Sequence, residues 1–394
     1  MGRVHHRRCI AELRYLAPDG TRKAHWRGFV VLLASLIFAI SGCAGDTDDA
    51  APDADAPPSR DLSNFEAEPL LENLEMPNAL TFAPDGRLFF VEVHNGRIRV
   101  VEDGDLIEEP FAEVDVAQPR GYTEHGLLGL DLHPDFEENG YVYAFYTTGD
   151  GTGNPTGQRI VRFTAEGNTA IDEEIIVDEL PNGRNCCHNG GRIAFGPDGY
   201  LYATIGDIED PQTSQNPETI AGSVLRYTED GAIPDDNPFG SDNPVYAYGL
   251  RNPFGLTFHP ETGELFLTDN GPEGYDEVNM IEPGGNYGWP EAQGIAEEPD
   301  FIDPIWATTT EQIAPTGITI PTGDAIPELE GQVLFCLWNM SVLFALELDP
   351  DDHTEVVSQS ELPVNCNLDV VEGPDGAIYT STDIRIYRLS PPEG

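Results

Sequence analysis

From residue 65 onward, apolar and polar positions alternate in short runs, and one phrase recurs along the chain. An apolar residue leads into a proline turn, and an alternating strand follows. The copies read LTFAPDGRLFFVEV, LDLHPDFEENGYVYAFYT, IAFGPDGYLYATIGD, LTFHPETGELFLTD and VVEGPDGAIYTSTD. A period of two in Phe, Tyr, Leu and Val is the signature of half-buried strands. Between the strands, Pro presets φ at the first corner and Gly accepts positive φ. The turn prolines stand at 84, 134, 197, 260 and 374, so the spacings are 50, 63, 63 and 114. The longest gap is two periods of 57 and holds GQVLFCLWNMSVLFALELDP, a degenerate repeat with strand character. Six units of about that length predict an all-β, six-bladed β-propeller. A β-sandwich leaves five copies of one turn motif without a reason, and no helical period supports an α/β fold.

In a propeller the innermost strands converge on an axis, and the loops of one face form a shared funnel. Residues far apart in sequence meet there, so functional residues are to be sought in loops between repeats.

The first 64 residues do not share this pattern. Arg7, Arg8, Arg14, Arg22, Lys23 and Arg27 precede an apolar run, Phe29–Ile40, too short to span a bilayer comfortably. It ends in Ile40-Ser41-Gly42-Cys43, which resembles a bacterial lipobox with an acylated Cys43. A plain secretory signal is the alternative. Residues 44–64 are rich in Asp, Ala and Pro and read as a disordered acidic tether. The expected organisation is a leader over 1–43, a linker over 44–64 and the propeller over 65–394. Its expected location is periplasmic or at the cell surface, with a membrane reached only through the lipid.

Net charge is −50, and Lys23 is the only lysine. Residues 1–42 hold seven basic and two acidic residues, so the remainder carries 13 Arg against 68 acids. Such a surface repels nucleic acid and anionic lipid and favours cations and high salt. Charge therefore excludes nucleic-acid binding without naming a function.

Three segments carry candidate chemistry. Cys186-Cys187-His188-Asn189-Gly190-Gly191-Arg192 places an imidazole beside glycines that let the backbone approach a ligand. Tyr248-Gly249-Leu250-Arg251-Asn252-Pro253-Phe254-Gly255 offers a permanent cation with an amide, suited to a carbonyl or oxyanion. Asp269-Asn270-Gly271-Pro272-Glu273-Gly274-Tyr275-Asp276-Glu277-Val278-Asn279, with Gly284-Gly285-Asn286-Tyr287-Gly288-Trp289-Pro290, is dense in oxygen donors and glycines, as a calcium loop needs. Each segment alone has an ordinary alternative: a turn histidine, a packed arginine, an acidic loop in an acidic protein. No nucleotide-binding G-x-G-x-x-G is evident, which argues against a nicotinamide enzyme.

Together, in this order on consecutive repeats, the segments resemble the soluble aldose dehydrogenases dependent on pyrroloquinoline quinone (PQQ), the glucose/sorbosone dehydrogenase family. His125-Gly126-Leu127-Leu128-Gly129-Leu130, Ile205-Gly206-Asp207 and Ile233-Pro234-Asp235-Asp236-Asn237-Pro238-Phe239 extend the likeness over about residues 65–390. The resemblance implies His188 as general base, Asp207 as its orienting carboxylate, and Arg251 and Asn252 as ligands of the cofactor's reactive carbonyl. It implies a structural calcium held by Gly271, Pro272, Tyr287 and Glu277. The substrate would be an aldose sugar oxidised to its lactone, with electrons passing to an unidentified acceptor.

The chain departs from the family at the cofactor's periphery. A usual lysine is replaced near Asn339, an Arg-x-Arg pair by Cys366-Asn367-Leu368, and a Gln by Glu124. Up to three charge-assisted bonds of ~1.5–3 kcal/mol each are missing, a loss of at least about 4 kcal/mol or roughly a thousandfold in affinity. This leaves a calcium-stabilised propeller that binds carbohydrate or a partner without redox activity as the second expectation, and metal-dependent lactone hydrolysis as a third. Cys186, Cys187, Cys336 and Cys366 suit one or two loop-stapling disulfides, with a vicinal Cys186–Cys187 bond or a Cys/His metal site as alternatives. His133 and His259 share one slot ahead of a turn proline and suit blade packing. His125, in a funnel-side motif beside Glu124, is a candidate ligand contact.

Overall fold

The computed structural model describes residues 57–58, 62, 65 and 67–390, apart from 118–120, 122, 184 and 324. The expected lipobox, Cys43 and most of the acidic tether lie outside these residues. Among the described residues no helix is long and apolar enough to cross a membrane.

Six antiparallel sheets, five of four strands and one of five, form the blades of a propeller. Blade 1 runs through Pro77–Phe82, Leu88–Glu92, Arg97–Glu102 and Asp105–Leu106, with Ala112–Glu113 added to its third strand. Blade 2 comprises Leu127–Leu132, Tyr141–Gly149, Pro155–Glu166 and Thr169–Leu180; blade 3 comprises Ile193–Phe195, Leu201–Ile205, Ser223–Tyr227 and Val245–Tyr248. Blade 4 takes Pro253–Phe258, Leu265–Asp269, Glu277–Ile281 and Trp306–Ala307; blade 5 takes Pro315–Thr319, Val333–Leu337, Val342–Asp349 and Asp352–Leu362. Blade 6 is built from both ends of the fold. Val370–Glu372, Ile378–Ser381 and Arg385–Leu389 are completed by Ala67–Glu72, which pairs with the last strand and closes the ring.

The recurrent phrase sits where its residues demand. In three copies the glycine N–H donates back across the turn, Gly86 to Ala83, Gly199 to Gly196 and Gly376 to Gly373, each at 2.9 Å. These glycines have φ of 93°, 79° and 71°, where a side chain would be strained. The second copy differs: a single helical turn, Phe136–Asn139, intervenes before the next strand and buries Phe136. The degenerate repeat supplies the two middle strands of blade 5. Inward-facing Phe89, Phe145, Phe266 and Phe335 are fully buried between blades, and Cys336 is joined to Cys366 by a disulfide that links blade 5 to the approach of blade 6. Packing begins ahead of blade 6, because Leu62 and Phe65 are buried against Ile326, Leu329 and Cys336.

An antiparallel blade that starts at the axis has its first turn on one face of the disc. Its connection to the next blade therefore falls on the opposite face. The proline turns thus mark one face, and the segments before each innermost strand gather on the other.

Candidate active site

The three candidate segments all lie on the face opposite the proline turns. His188 is in the connection from blade 2 to blade 3, and Arg251 and Asn252 are in the connection from blade 3 to blade 4. The Asp269–Glu277 loop joins the two middle strands of blade 4. They surround one cavity of about 280 Å³ lined by His188, Arg251, Asn252, Glu124, Asn339, Gly271 and Pro272 among others. That size is at the lower end for a small-molecule site. Imidazole and guanidinium, sixty-three positions apart in sequence, thus face one chamber.

His188 sits at φ 57°, between two neighbours that fix it. Its backbone N–H donates to Glu124 Oε2 at 2.7 Å, and its Nδ1 meets Asp207 Oδ1 at 2.6 Å. A side chain at Gly206 would strike the His188 carbonyl at 2.2 Å, so only glycine lets the two loops approach. Asp207 is fully buried and does not line the cavity. Its carboxylate also accepts the Glu209 N–H at 2.8 Å and the Trp289 indole N–H at 2.9 Å. A proton donated from Nδ1 to this carboxylate leaves Nε2 with a free lone pair, the form a general base requires.

Arg251 and Asn252 are held by one buried carboxylate. Asp269 accepts the Arg251 N–H at 2.8 Å and the Asn252 N–H at 2.6 Å. The Arg251 guanidinium donates to the Asn270 carbonyl at 2.6 Å and lies 5.5 Å from the Trp289 ring centre. Asn252 Nδ2 reaches Glu124 Oε2 at 3.4 Å, while its Oδ1 is buried without a partner. An orphaned buried acceptor costs about 1–3 kcal/mol, so it marks a place for a donor from a bound molecule. Glu124 therefore bridges the base and the clamp. Burial raises its carboxyl above the usual range, and His188 and Arg251 partly oppose that shift.

The four expected calcium ligands also come together. Gly271, Pro272, Glu277 and Tyr287 line a small cavity of about 10 Å³ beside Arg251, large enough for roughly one water-sized occupant. Burial raises the Glu277 carboxyl, and neighbouring Asp269 and Asp276 raise it further. A buried carboxylate cluster around a one-ion space fits a hard cation. Glu277 nonetheless accepts the Gly294 N–H at 2.7 Å and an Asn279 Nδ2 bond at 3.1 Å, so it also ties the loops unaided.

The cavity's far side carries the departures seen in sequence. Asn339 lines it and donates to the Gln312 carbonyl at 2.8 Å. Leu368 lines it too, and Cys366 is disulfide-bonded. Among the described residues the cavity has two cations. Arg192 is one, and it makes a bidentate ion pair with Asp369 at 2.9 and 3.0 Å across the axis from blade 3 to blade 6. Arg251 is the other. The residues present therefore offer donors suited to a quinone carbonyl at Arg251, with uncharged Asn339 and Leu368 at the positions where the family resemblance implies cations.

Cys186 and Cys187 form a vicinal disulfide, with Cys187 in the cavity wall. His133 and His259 are at proline turns on the opposite face: His133 pairs with Glu229 at 2.8 Å, and His259 stacks on His353 at 4.5 Å. His125 is fully buried, has no hydrogen-bond partner at either ring nitrogen, and does not line the cavity. Sequence reasoning gave no role to Arg192, Asp269 or Trp289, although all three stood in the segments it singled out. Their roles come from partners on other blades, which no local pattern announces.

Residues 74–389 match the Glucose / Sorbosone dehydrogenase family. The aldose sugar dehydrogenase YliI of Escherichia coli is 29% identical, over 80% of this chain and 89% of its own. The quinoprotein glucose dehydrogenase B of Acinetobacter calcoaceticus is 30% identical, over 66% of this chain and 60% of its own. The PQQ-bound aldose sugar dehydrogenase from Streptomyces coelicolor superimposes with a TM-score of 0.70 at 30% identity, covering 85% of this chain and 99% of that one.

Proposed function

The chain belongs to the glucose/sorbosone dehydrogenase family, and we propose on that premise that it oxidises an aldose sugar to its lactone with PQQ as cofactor. The observation that carries this reading is the shared cavity of His188 and Arg251, with Asp207 behind the imidazole.

PQQ, when bound, supplies the two-electron acceptor for a hydride. Arg251 and Asn252 would hold its carbonyl edge: the guanidinium offers charge and N–H donors, and Asn252 would donate through the amide Nδ2 that now reaches Glu124, while its unpartnered Oδ1 would accept a hydroxyl of the sugar. His188 Nε2 takes the proton of the anomeric hydroxyl as that carbon gives up its hydride. Asp207 fixes the tautomer and balances the positive charge gained by the ring. Calcium would sit among Gly271, Pro272, Tyr287 and Glu277 and keep the blade 4 loop in register beneath Arg251. Export and lipid attachment at Cys43 would place the reaction outside the cytoplasmic membrane, with an acceptor for the electrons still to be found.

A second reading, a calcium-stabilised propeller that binds carbohydrate or a partner without redox chemistry, is favoured by one observation: among the described residues the cavity holds two arginines, one of them paired with Asp369, and carries acidic Glu124 and Asp276 in its wall. Residues 62–394 in high salt, with calcium and PQQ, separate the two when dye reduction is followed over a panel of aldoses. The dehydrogenase is expected to turn over, His188→Ala to lose about 10²–10⁴-fold in kcat, and His259→Ala to retain its rate. No PQQ binding and no rise in melting temperature with PQQ would overturn the dehydrogenase reading in favour of the second, unless a lactone is turned over without quinone.

A further inference from the structure

Two parts of the site must be aligned, the base pair on blade 3 and the cationic clamp between blades 3 and 4. Besides Glu124, which meets the His188 N–H and the Asn252 amide, one further side chain touches both. The Trp289 indole N–H donates to Asp207 Oδ2 at 2.9 Å, the oxygen that His188 does not use. The guanidinium of Arg251 lies over the same indole, 5.5 Å from its centre. The Asp207 N–H, in turn, donates to the Arg251 carbonyl at 2.7 Å, which closes a ring of contacts through all three residues.

Trp289 is itself held from two sides. Its backbone N–H donates to the Gly249 carbonyl at 2.9 Å, and its backbone carbonyl accepts from Gln215 Nε2 at 2.8 Å. Gln215 exchanges two further hydrogen bonds with Asn286, both at 3.0 Å. A side chain at Gly249 would meet Asn286 Oδ1 at 2.2 Å, so the glycine ahead of the Arg251 segment is what admits this packing.

The geometry points to Trp289 as a positioning residue that sets the base and the clamp together, its N–H fixing the Asp207 carboxylate and its ring face supporting Arg251. A carboxylate anchored at one oxygen only can rotate about its Cβ–Cγ bond. With both oxygens engaged it presents Oδ1 to His188 in one orientation. The indole face, negative at its centre, attracts the guanidinium and limits its rotamers, which leaves its remaining N–H groups for a ligand. The two functions use different parts of one side chain, and substitution can separate them.

This inference deepens the dehydrogenase reading and rests on it for its kinetic arm, so the test includes an arm that needs no turnover. Trp289→Phe keeps a ring face and deletes the N–H; Trp289→Leu removes both. In cofactor-free protein labelled with ¹⁵N-histidine, Trp289→Phe is expected to weaken or displace the His188 Nδ1–H resonance, while those of His133 and His259 report an intact fold. Asp207→Ala, made in the otherwise native chain, should release the Trp289 indole N–H, seen as faster hydrogen exchange. In the loaded enzyme, Trp289→Phe should lower kcat about tenfold with sugar KM and quinone affinity within about twofold. Trp289→Leu should in addition weaken quinone binding about tenfold at saturating calcium. An unchanged His188 resonance in Trp289→Phe, or an unchanged indole exchange rate in Asp207→Ala, overturns the proposal whether or not the protein oxidises sugars. Loss of quinone affinity in Trp289→Phe equal to that in Trp289→Leu overturns the division of labour.

Discussion

Glu124 puts a carboxylate in the wall of the cavity proposed for an anionic cofactor, and its surroundings set how strongly that matters. Its Oε2 is already engaged by the His188 N–H and by Asn252 Nδ2, and burial is the largest influence on its titration, pushing the carboxyl above its usual range. The carboxyl is therefore neutral to a higher pH than a surface glutamate, and charged above that point. One like charge sharing a cavity with an anion costs about 1–2 kcal/mol at an effective dielectric near 20. PQQ affinity should accordingly rise as pH falls and the carboxyl takes up its proton, at a higher pH than for a surface glutamate. Glu124→Gln should bind about tenfold tighter than the protein with its carboxylate charged and should lose that pH dependence. Fluorescence quenching on PQQ binding, measured from pH 5 to 8 on both proteins, decides the matter. Parallel curves would mean that Glu124 does not govern cofactor entry.

At the scale of the blades, Asp131 shows how one side chain ties three of them. It lies in the innermost strand of blade 2, accepts the Phe195 N–H of blade 3 at 2.8 Å, and meets the Thr81 hydroxyl of blade 1 at 3.4 Å. Burial pushes its carboxyl up to about 6, against the opposing pull of the Phe195 and Leu132 N–H groups. An unfolded aspartate titrates near ~3.9, so the folded state binds the proton more tightly and the group favours folding at low pH. That contribution is complete below about pH 4, fades as pH rises to about 6, and is absent above, a difference of about 3 kcal/mol. The unfolding free energies of the protein and of Asp131→Asn, from denaturant melts, should diverge by about that amount across this range; coincident pH profiles would refute it. The Asp131 network also shows what a sequence does and does not reveal about elements. The proline-turn phrase is local, each copy carrying its own Pro, Gly and alternating strand, so five blades were legible. Blade 5 lacks the turn and was found only through its apolar strands. The turn after Pro134 runs on into a short helix, Phe136–Asn139, because Gly140 at φ 66° closes a helical turn there. His188, Arg251 and Asp207 were readable because they stand in distinctive local segments, whereas the Asp369 that pairs with Arg192, 177 positions away, was not.

The propeller is a ring under electrostatic load. Its first strand completes its last blade, so unfolding of Ala67–Glu72 opens the circle, and the Arg192–Asp369 pair spans opposite blades at the axis. Against these closures stand 70 acidic side chains and a net charge of −50. Several arginines are committed to local pairs, as Arg162 is to Glu174 and Asp230 and Arg226 to Asp198 and Asp236, so most carboxylates repel one another unanswered. Repulsion of this kind acts over the Debye length, about 10 Å at 0.1 M salt and about 3 Å at 1 M. Raising salt should therefore remove most of the load while leaving buried pairs such as Arg192–Asp369 largely unscreened. The melting temperature should climb steeply between about 0.1 and 1 M KCl and then more slowly, with millimolar magnesium reproducing much of the first rise because a divalent ion neutralises paired carboxylates. A sucrose series separates this from general exclusion of solute from the protein surface, which stabilises any compact state without touching charge. If sucrose matches KCl, or if the melting temperature does not move with KCl, the acidic surface is not what limits the stability of the ring.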